Sequence, residues 1–141
     1  PEADAKALHG GWYFTGDIGY FDAEGDLFVT GRVDGMIITG GENVQPVEIE
    51  SVLSLHPAVA EVAVAGLADE RWGQSITAFI KRIDGSDGEG IDGDVLDAYC
   101  RGSKLANFKR PRKYVFVKGI PKSPVGKILR RHLVAGDYEA E

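Results

Sequence analysis

The sequence has few cysteines, few histidines and no long apolar run. Its single cysteine, Cys100, has no partner for an internal disulfide and supplies no CxxC motif for zinc or redox chemistry. The three histidines, at positions 9, 56 and 132, lie in separate segments without metal-ligand spacing. No run approaches the roughly 18 apolar residues of a membrane span, and Glu61 interrupts the longest, residues 58–68. We therefore expect no metal site, no disulfide scaffold and no membrane partner.

We also expect no secretory leader, because residues 1–11 (PEADAKALHGG) are small and polar. We expect a cytoplasmic protein. The first residue is Pro rather than Met, so we expect the sequence to begin inside a longer chain. The 141 residues, 43% hydrophobic and 27% charged, suit one globular domain, or a small domain with part of another.

The charge is distributed unevenly along the chain. The formal net charge is −6, yet eleven of the sixteen basic residues lie between Arg101 and Arg131, where there is no acidic residue. Such a segment produces a positive field that can attract phosphates. It can equally be a solvated face that balances acidic neighbours. Charge alone does not choose between a nucleotide, a phosphorylated cofactor and nucleic acid as partner.

Apolar periodicity and turn residues predict an α+β fold, with a small, mostly antiparallel sheet flanked by helices. Strands are predicted at residues 12–14, 18–21, 27–30, 36–39, 59–67, 75–83 and 114–117. Helices are predicted at residues 46–55, from Asp92 or Asp94 to about Arg101, and at residues 127–135. Residues 1–33 are predicted to form β-hairpins without a covering helix.

Two short motifs each lack a residue that a ligand site of their kind requires. Asp22, Glu24 and Asp26 alternate like a calcium loop, but Leu27 stands where such a loop needs glycine. Gly126 and Lys127 resemble the end of a P-loop, but Ile128 replaces the hydroxyl residue that would hold magnesium. A hairpin turn explains the first motif, and the second is not a P-loop.

Three segments rich in glycine and charge carry a stronger resemblance. They are WYFTGD at 12–17, GRVDGMIITGGENVQPVEIE at 31–50 and PKSPVGKILRR at 121–131. In this order and spacing they resemble the C-terminal part of the adenylate-forming acyl-CoA synthetases, and aryl-CoA ligases in particular. The superfamily includes peptide-synthetase adenylation domains and luciferases. The resemblance implies that residues 1–33 are the edge of a larger N-terminal adenylation domain and that residues 34–141 are a mobile C-terminal domain.

The resemblance also implies roles in acyl-adenylate formation. Asp17 is similar to a carboxylate that accepts hydrogen bonds from both ribose hydroxyls of ATP. Arg32 is similar to an arginine that contacts the nucleotide. Asp34 falls at the hinge, although relatives carry a second acidic residue where Gly35 stands. Lys127 is similar to the lysine that reaches the carboxylate substrate and the α-phosphate. Without the resemblance, Asp17 would be an aspartate in a turn, Arg32 would be a member of a surface ion pair, and Lys127 would be one more lysine of the basic segment.

A second set of residues is similar to positions that bind coenzyme A in this family. Glycines let the backbone approach the thin pantetheine chain closely, an aromatic ring can stack on adenine, and arginines can pair with phosphates. The residues implied are Gly40, Gly41 and Glu42 for pantetheine, and Trp72, Phe108 and Arg110 for the CoA nucleotide. An ordinary turn at the glycines and a core role for Trp72 are the alternatives.

The function implied is that of an ATP-dependent carboxylate–CoA ligase, with ATP accompanied by Mg²⁺, CoA and a small carboxylic acid as substrates. The partner is the N-terminal adenylation domain of the same chain, without which the segment is expected to be inactive. No nucleic acid partner is expected. One alternative is a non-catalytic module that binds a carrier protein, or RNA through the basic segment, Phe108, Tyr114 and Phe116. Another is the lid of a peptide-synthetase adenylation domain.

Overall fold

The computed structural model describes residues 2–85 and 87–141. In chain order the elements are α1 (Glu2–Ala7), β1 (Leu8–His9), β2 (Trp12–Tyr13), β3 (Asp17–Phe21), β4 (Leu27–Arg32), β5 (Ile37–Thr39), β6 (Glu42–Val44), α2 (Pro46–Leu53), β7 (Val59–Asp69), β8 (Gly73–Arg82), α3 (Gly93–Arg101), a 3₁₀ turn (Asn107–Lys109), β9 (Lys113–Phe116) and α4 (Arg130–Ala135).

The first part of the chain forms two small antiparallel hairpins, β1–β2 and β3–β4. The turn between β3 and β4 closes as predicted, because a carboxylate oxygen of Asp22 accepts hydrogen bonds from the N–H groups of Glu24 and Asp26. A short helix, α1, precedes β1 and was not predicted. Trp12 is 75% exposed, and among the described side chains none before Ile37 is buried.

The main sheet is built around β8. It pairs antiparallel with β7 along nearly its whole length and parallel with β9 from Thr77 to Ile80. Its first residue, Gly73, pairs with Thr39 of β5, and β5 pairs antiparallel with β6. The mixed helix–strand fold with a mostly antiparallel sheet is therefore confirmed. Strand β6 was not predicted.

The core lies on both faces of this sheet, because successive strand residues point to opposite sides. On one face, Val64 and Ile80 belong to the cluster that includes Ile49 of α2 and Leu96 of α3. On the other face, Phe79 belongs to a cluster completed by residues of α4 and the C-terminal segment, namely Val117, Ile120 and Leu133. Helices α2 and α3 thus cover one face, and α4 covers the other.

Helix boundaries differ from the predictions in two places. Helix α2 begins at Pro46 as predicted but ends at Leu53, two residues early. Helix α4 begins at Arg130 rather than at residue 127, because Lys122 and Ile128 form a β-bridge that keeps the intervening residues in a loop. Asp92 caps α3 by accepting from the N–H of residue 95 at 2.9 Å. Within the described residues, no helix is long and apolar enough to cross a membrane.

Candidate functional site

Arg32 joins two of the predicted site residues. It ends β4 opposite Asp17, which begins β3. Its Nη1 donates to Oδ1 of Asp17 at 3.1 Å and to the carbonyl oxygen of Thr15 at 3.3 Å. Its Nε donates to Oδ1 of Asp34 at 3.0 Å. The proposed ribose-binding carboxylate and the proposed hinge carboxylate are thus held by one guanidinium.

The contact between Arg32 and Asp34 favours the ionised forms of both side chains. The hydrogen bond from Arg32 lowers the pKa of Asp34 below its ordinary value, and the positive charge of Lys127 lowers it further. In return, Asp34 and Asp17 raise the pKa of the Arg32 guanidinium. The side chain of Arg32 is 46% exposed, so these ion pairs contribute little to stability. Their consequence is a fixed arrangement of charges at the surface.

Lys127 meets this arrangement across an open cavity of about 500 Å³. Arg32, Asp34 and Gly35 line it on one side, and Lys127 and the residues after it line the other. Lys127 is exposed, and among the described residues no carboxylate lies within ion-pair distance of its ammonium group. A lysine without an ion-pair partner and a fixed arginine at one cavity are groups that can bind phosphate or carboxylate oxygens.

A second group of predicted residues meets at the β5–β6 turn. Gly40 and Gly41 have φ angles of 58° and 82°, which a two-residue hairpin turn of this type requires and which glycine adopts most readily. The N–H of Gly40 donates to the carbonyl oxygen of Trp72 at 2.9 Å. A Cβ atom on Gly40 would lie 3.0 Å from the Trp72 ring. Glu42, which opens β6, is exposed beside this turn.

Trp72 is half-buried and belongs to neither core cluster, which argues against the core alternative. The guanidinium carbon of Arg112 lies 4.0 Å from its ring centroid, and that of Arg71 lies 4.9 Å away. Arg112 also donates to Oγ1 of Thr39 at 3.1 Å. Sequence reasoning missed Arg112 as a site residue, since nothing in the basic run separates it from its neighbours. Its contact with Trp72 appears only in three dimensions.

Arg112 connects Trp72 to the remaining predicted residues. With Arg110 it lines a second open cavity, of about 590 Å³. Arg110 donates to Oδ1 of Asp97 at 2.6 Å, and its Nε is buried without a hydrogen-bond partner among the described residues. Phe108, in the 3₁₀ turn, is 41% exposed. Of the six predicted coenzyme residues, the structure brings Gly40, Gly41 and Glu42 together with Trp72, whereas Arg110 lines the second cavity, where Asp97 already neutralises it, and Phe108 lies in the turn before it.

The basic segment is largely neutralised by the rest of the fold. Six of its eleven basic residues lie within 4 Å of a carboxylate: Arg101, Lys109, Arg110, Lys118, Lys122 and Arg130. This supports the interpretation that the segment balances acidic neighbours. Arg112 and Lys127 are exposed members that form no such pair among the described residues. Within residues 2–85 and 87–141, no group of three or more acidic, histidine or cysteine residues could hold a metal ion.

Known proteins resemble this chain closely in sequence. Over 133 residues, 94% of the chain, it is 48% identical to a 4-chlorobenzoate–CoA ligase from Arthrobacter sp., of which it covers 24%. It is 47% identical to a 2-succinylbenzoate–CoA ligase from Geobacillus kaustophilus, again over 94% of the chain and 26% of the relative. The chain thus spans about a quarter of the length of these relatives.

Solved structures share the fold. ATP-bound MatB from Rhodopseudomonas palustris superposes with a TM-score of 0.85 at 34% identity, covering 96% of this chain and 26% of that one. The o-succinylbenzoate CoA synthetase of Bacillus subtilis, in complex with the acyl-adenylate intermediate OSB-AMP, gives 0.82 at 39% identity, covering 92% and 25%. The family model of the AMP-binding enzyme C-terminal domain matches residues 48–127. This chain belongs to that family.

Proposed function

We propose that this chain is the C-terminal part of an ATP-dependent carboxylate–CoA ligase. The observation that carries the proposal is the cavity at which Arg32, Asp34 and Lys127 meet. The names of the relatives support the reaction class, since they include 4-chlorobenzoate and 2-succinylbenzoate CoA ligases. Both of these are named for aromatic acids, but a relative from Mycobacterium tuberculosis that is 46% identical is named a long-chain-fatty-acid–CoA ligase, so the proposal covers aromatic and aliphatic acids. ATP, its accompanying Mg²⁺ and CoA meet in the cytoplasm, where we place the enzyme.

In the first half-reaction, a carboxylate oxygen of the acid attacks the α-phosphorus of ATP and pyrophosphate leaves. Asp17 would accept hydrogen bonds from the ribose hydroxyls, and Arg32 would contact the nucleotide beside it. Two anions approach each other in this step, so a positioned cation lowers the barrier most where negative charge is concentrated. Lys127, exposed and without a carboxylate partner among the described residues, suits that role.

In the second half-reaction, the CoA thiol attacks the acyl carbon, the thiol proton leaves and AMP is released. Gly40 and Gly41, with Glu42 beside them, would border the pantetheine chain. The aromatic faces of Trp72 and Phe108 would stack on adenine, and Arg110 would share its charge between Asp97 and a CoA phosphate. The guanidinium of Arg112 now covers a face of Trp72, so adenine would take the other face or displace it.

The two half-reactions use separate groups of residues, and a domain rotation would bring each group to the adenylate in turn. Residues 1–33 would remain with the N-terminal adenylation domain, and residues 34–141 would rotate about Asp34. Among the described side chains, none before Ile37 is buried. This supports the division, because the hydrophobic core of residues 34–141 would stay intact while they rotate. Hinges of this kind concentrate the backbone change in a few residues.

The experiment begins with the open reading frame upstream of Pro1. The proposal predicts several hundred preceding residues with a Ser/Thr/Gly-rich phosphate loop, and a full-length product that forms AMP and an acyl-CoA from ATP, CoA and an aromatic or aliphatic acid. The 141-residue chain alone should be inactive. A start codon directly before Pro1, or CoA thioester formation by the 141-residue chain alone, would contradict the proposal.

The alternatives receive less support. Six of the eleven basic residues already pair with carboxylates, so fewer positive charges are free for RNA, and this argues against the RNA-binding alternative. A peptide-synthetase lid would deliver the acyl group to a carrier protein, so a full-length product that forms adenylate and ignores free CoA would favour it. Salt-sensitive RNA binding with no response to CoA would favour a binding module.

A further inference from the structure

The loop that carries Lys127 has a closed internal shape. The N–H of Ser123 donates to the carbonyl oxygen of Lys127 at 2.8 Å, and the Lys127 N–H approaches Oγ of Ser123 at 3.2 Å. Gly126, at φ 83°, donates back to the Ser123 carbonyl at 2.9 Å. These hydrogen bonds hold the loop in one compact shape. The position of its ammonium group depends on how the two ends are attached.

The carboxyl end is attached through Arg130, the first residue of α4. Its Nε donates to the carbonyl oxygen of Val64 at 3.1 Å, and its Nη2 donates to Oε1 of Glu50 at 2.6 Å. The same Oε1 accepts the N–H of Val64 at 2.8 Å. Arg130 thus connects the loop to β7 and to α2. The Glu50 side chain is only 14% exposed, so little water competes for this contact.

The amino end is attached to the same strand. Lys122 forms an ion pair with Glu61 of β7, and it also forms the β-bridge with Ile128 that closes the base of the loop. The Glu61–Lys122 contact is more exposed than Glu50–Arg130, at 29% and 41% for its side chains. The better-shielded, charge-assisted contact at the carboxyl end therefore constrains the loop more strongly.

We propose that Arg130, held by Glu50, is a positioning residue that sets the place of Lys127 during adenylate formation. The proposal rests on the function proposed above, in which Lys127 acts in the first half-reaction. Arg130 borders the same cavity as Lys127, but two of its donors are committed to Glu50 and Val64. Glu50 does not line that cavity, so its effect would be transmitted through Arg130.

The chain contains a matched control. Arg82 donates to the carbonyl oxygen of Ile91 at 2.9 Å and forms an ion pair with Glu141. Its side chain is 29% exposed, against 34% for Arg130. An Arg82→Ala change therefore removes both kinds of contact, together with the contact of its guanidinium with the Phe116 ring, from a region that holds no part of either site. It reports what such a loss does to stability alone.

The test measures the two half-reactions separately in the full-length product. Pyrophosphate release from ATP and acid reports the first, and thioester formation from presynthesised acyl-adenylate and CoA reports the second. Because a misplacement of about 1 Å can cost about 10²-fold in rate, Arg130→Ala should slow the first step by that order and leave the second unchanged. Glu50→Gln should slow the same step, and Arg130→Lys should recover part of the rate.

Three outcomes would overturn the proposal. In the first, Arg130→Ala slows both half-reactions together and Arg82→Ala does the same, as a loss of stability would. The first step could be unaffected by Arg130→Ala, or Glu50→Gln could leave it unchanged while Arg130→Ala abolishes it, which would place Arg130 directly on substrate. A Lys127→Ala variant separates the two proposals. If it retains the first step, the role of Lys127 itself is wrong; if it loses that step and Arg130→Ala does not, only the positioning role fails.

Discussion

The Nε atom of Arg32 donates a hydrogen bond to Oδ1 of Asp34 at 3.0 Å. This contact crosses the boundary that we propose between the two domains. Because the same guanidinium also holds Asp17, the proposed hinge is tied to the carboxylate that would bind the ribose. A rotation about Asp34 must therefore break this contact or move it.

The contact makes a prediction about the titration of Asp34. Arg32 lowers the pKa of Asp34 in the folded protein, so the contact is present above the unfolded-state pKa and is lost as the pH falls through the folded value. Replacing Arg32→Gln should raise the Asp34 pKa toward its ordinary value of 3.8. A carbon-detected NMR titration measures this. The pKa of Glu61, lowered by Lys122, should not move and serves as the control. An unchanged Asp34 pKa in Arg32→Gln would contradict the contact.

If Asp34 is the hinge, restricting its backbone should slow one half-reaction and spare the other. Proline fixes φ near −65° and removes the N–H, so Asp34→Pro in the full-length product should hold the C-terminal domain in one orientation. One half-reaction should persist and the other should slow markedly, as measured by separate assays of adenylate and thioester formation. Asp34→Ala removes the carboxylate but leaves the backbone free, and it should preserve both steps better. Equal loss of both steps in Asp34→Pro would argue against a hinge here.

The coenzyme region predicts a second selective effect. Base–aromatic stacking contributes roughly 1–3 kcal/mol, so Trp72→Ala should raise the KM for CoA about tenfold or more. Trp72→Phe retains a ring and should show a smaller increase. Pyrophosphate release in the absence of CoA should be unchanged in both variants. A normal KM for CoA in Trp72→Ala would exclude the stacking role.

The domain boundary can be tested by truncation. The described core begins at Ile37, so residues 34–141 should unfold cooperatively in urea without the hairpins. Deleting residues 1–33 should leave the midpoint close to that of the 141-residue chain. Phe79→Ala in the truncated chain should lower the free energy of unfolding by about 3–5 kcal/mol, because the ring is fully buried. A truncated chain without a cooperative transition would place the boundary elsewhere.

The sequence was most informative where local chemistry and packing agree. Pro46 marks the start of α2, and Asp92 caps α3, because both residues favour helix starts for reasons internal to the chain. The long apolar strands β7 and β8 were predicted to within two residues at each end. Recognition of the family rested on three separated motifs, and the comparisons confirm it.

Features that depend on distant contacts were not accessible from the sequence. Residues 127–129 look helical because they continue into α4, but the pairing of Lys122 with Ile128 keeps them in a loop. The contact of Arg112 with Trp72 joins residues forty positions apart. Glu50 and Arg130 are eighty positions apart. Such pairs appear only when the sheet brings their elements together.

Lys127, in the function proposed here, acts on the first half-reaction of a CoA ligase. The most direct test is single-turnover pyrophosphate release by the full-length product and its Lys127→Ala variant, beside Lys118→Ala, which removes an exposed lysine paired with Glu139. Loss of one electrostatic donor to a transition state typically costs about 10²–10³-fold, so Lys127→Ala should slow release by that factor while Lys118→Ala does not. Thioester formation from preformed adenylate should survive in both. Wild-type pyrophosphate release by Lys127→Ala would contradict the account.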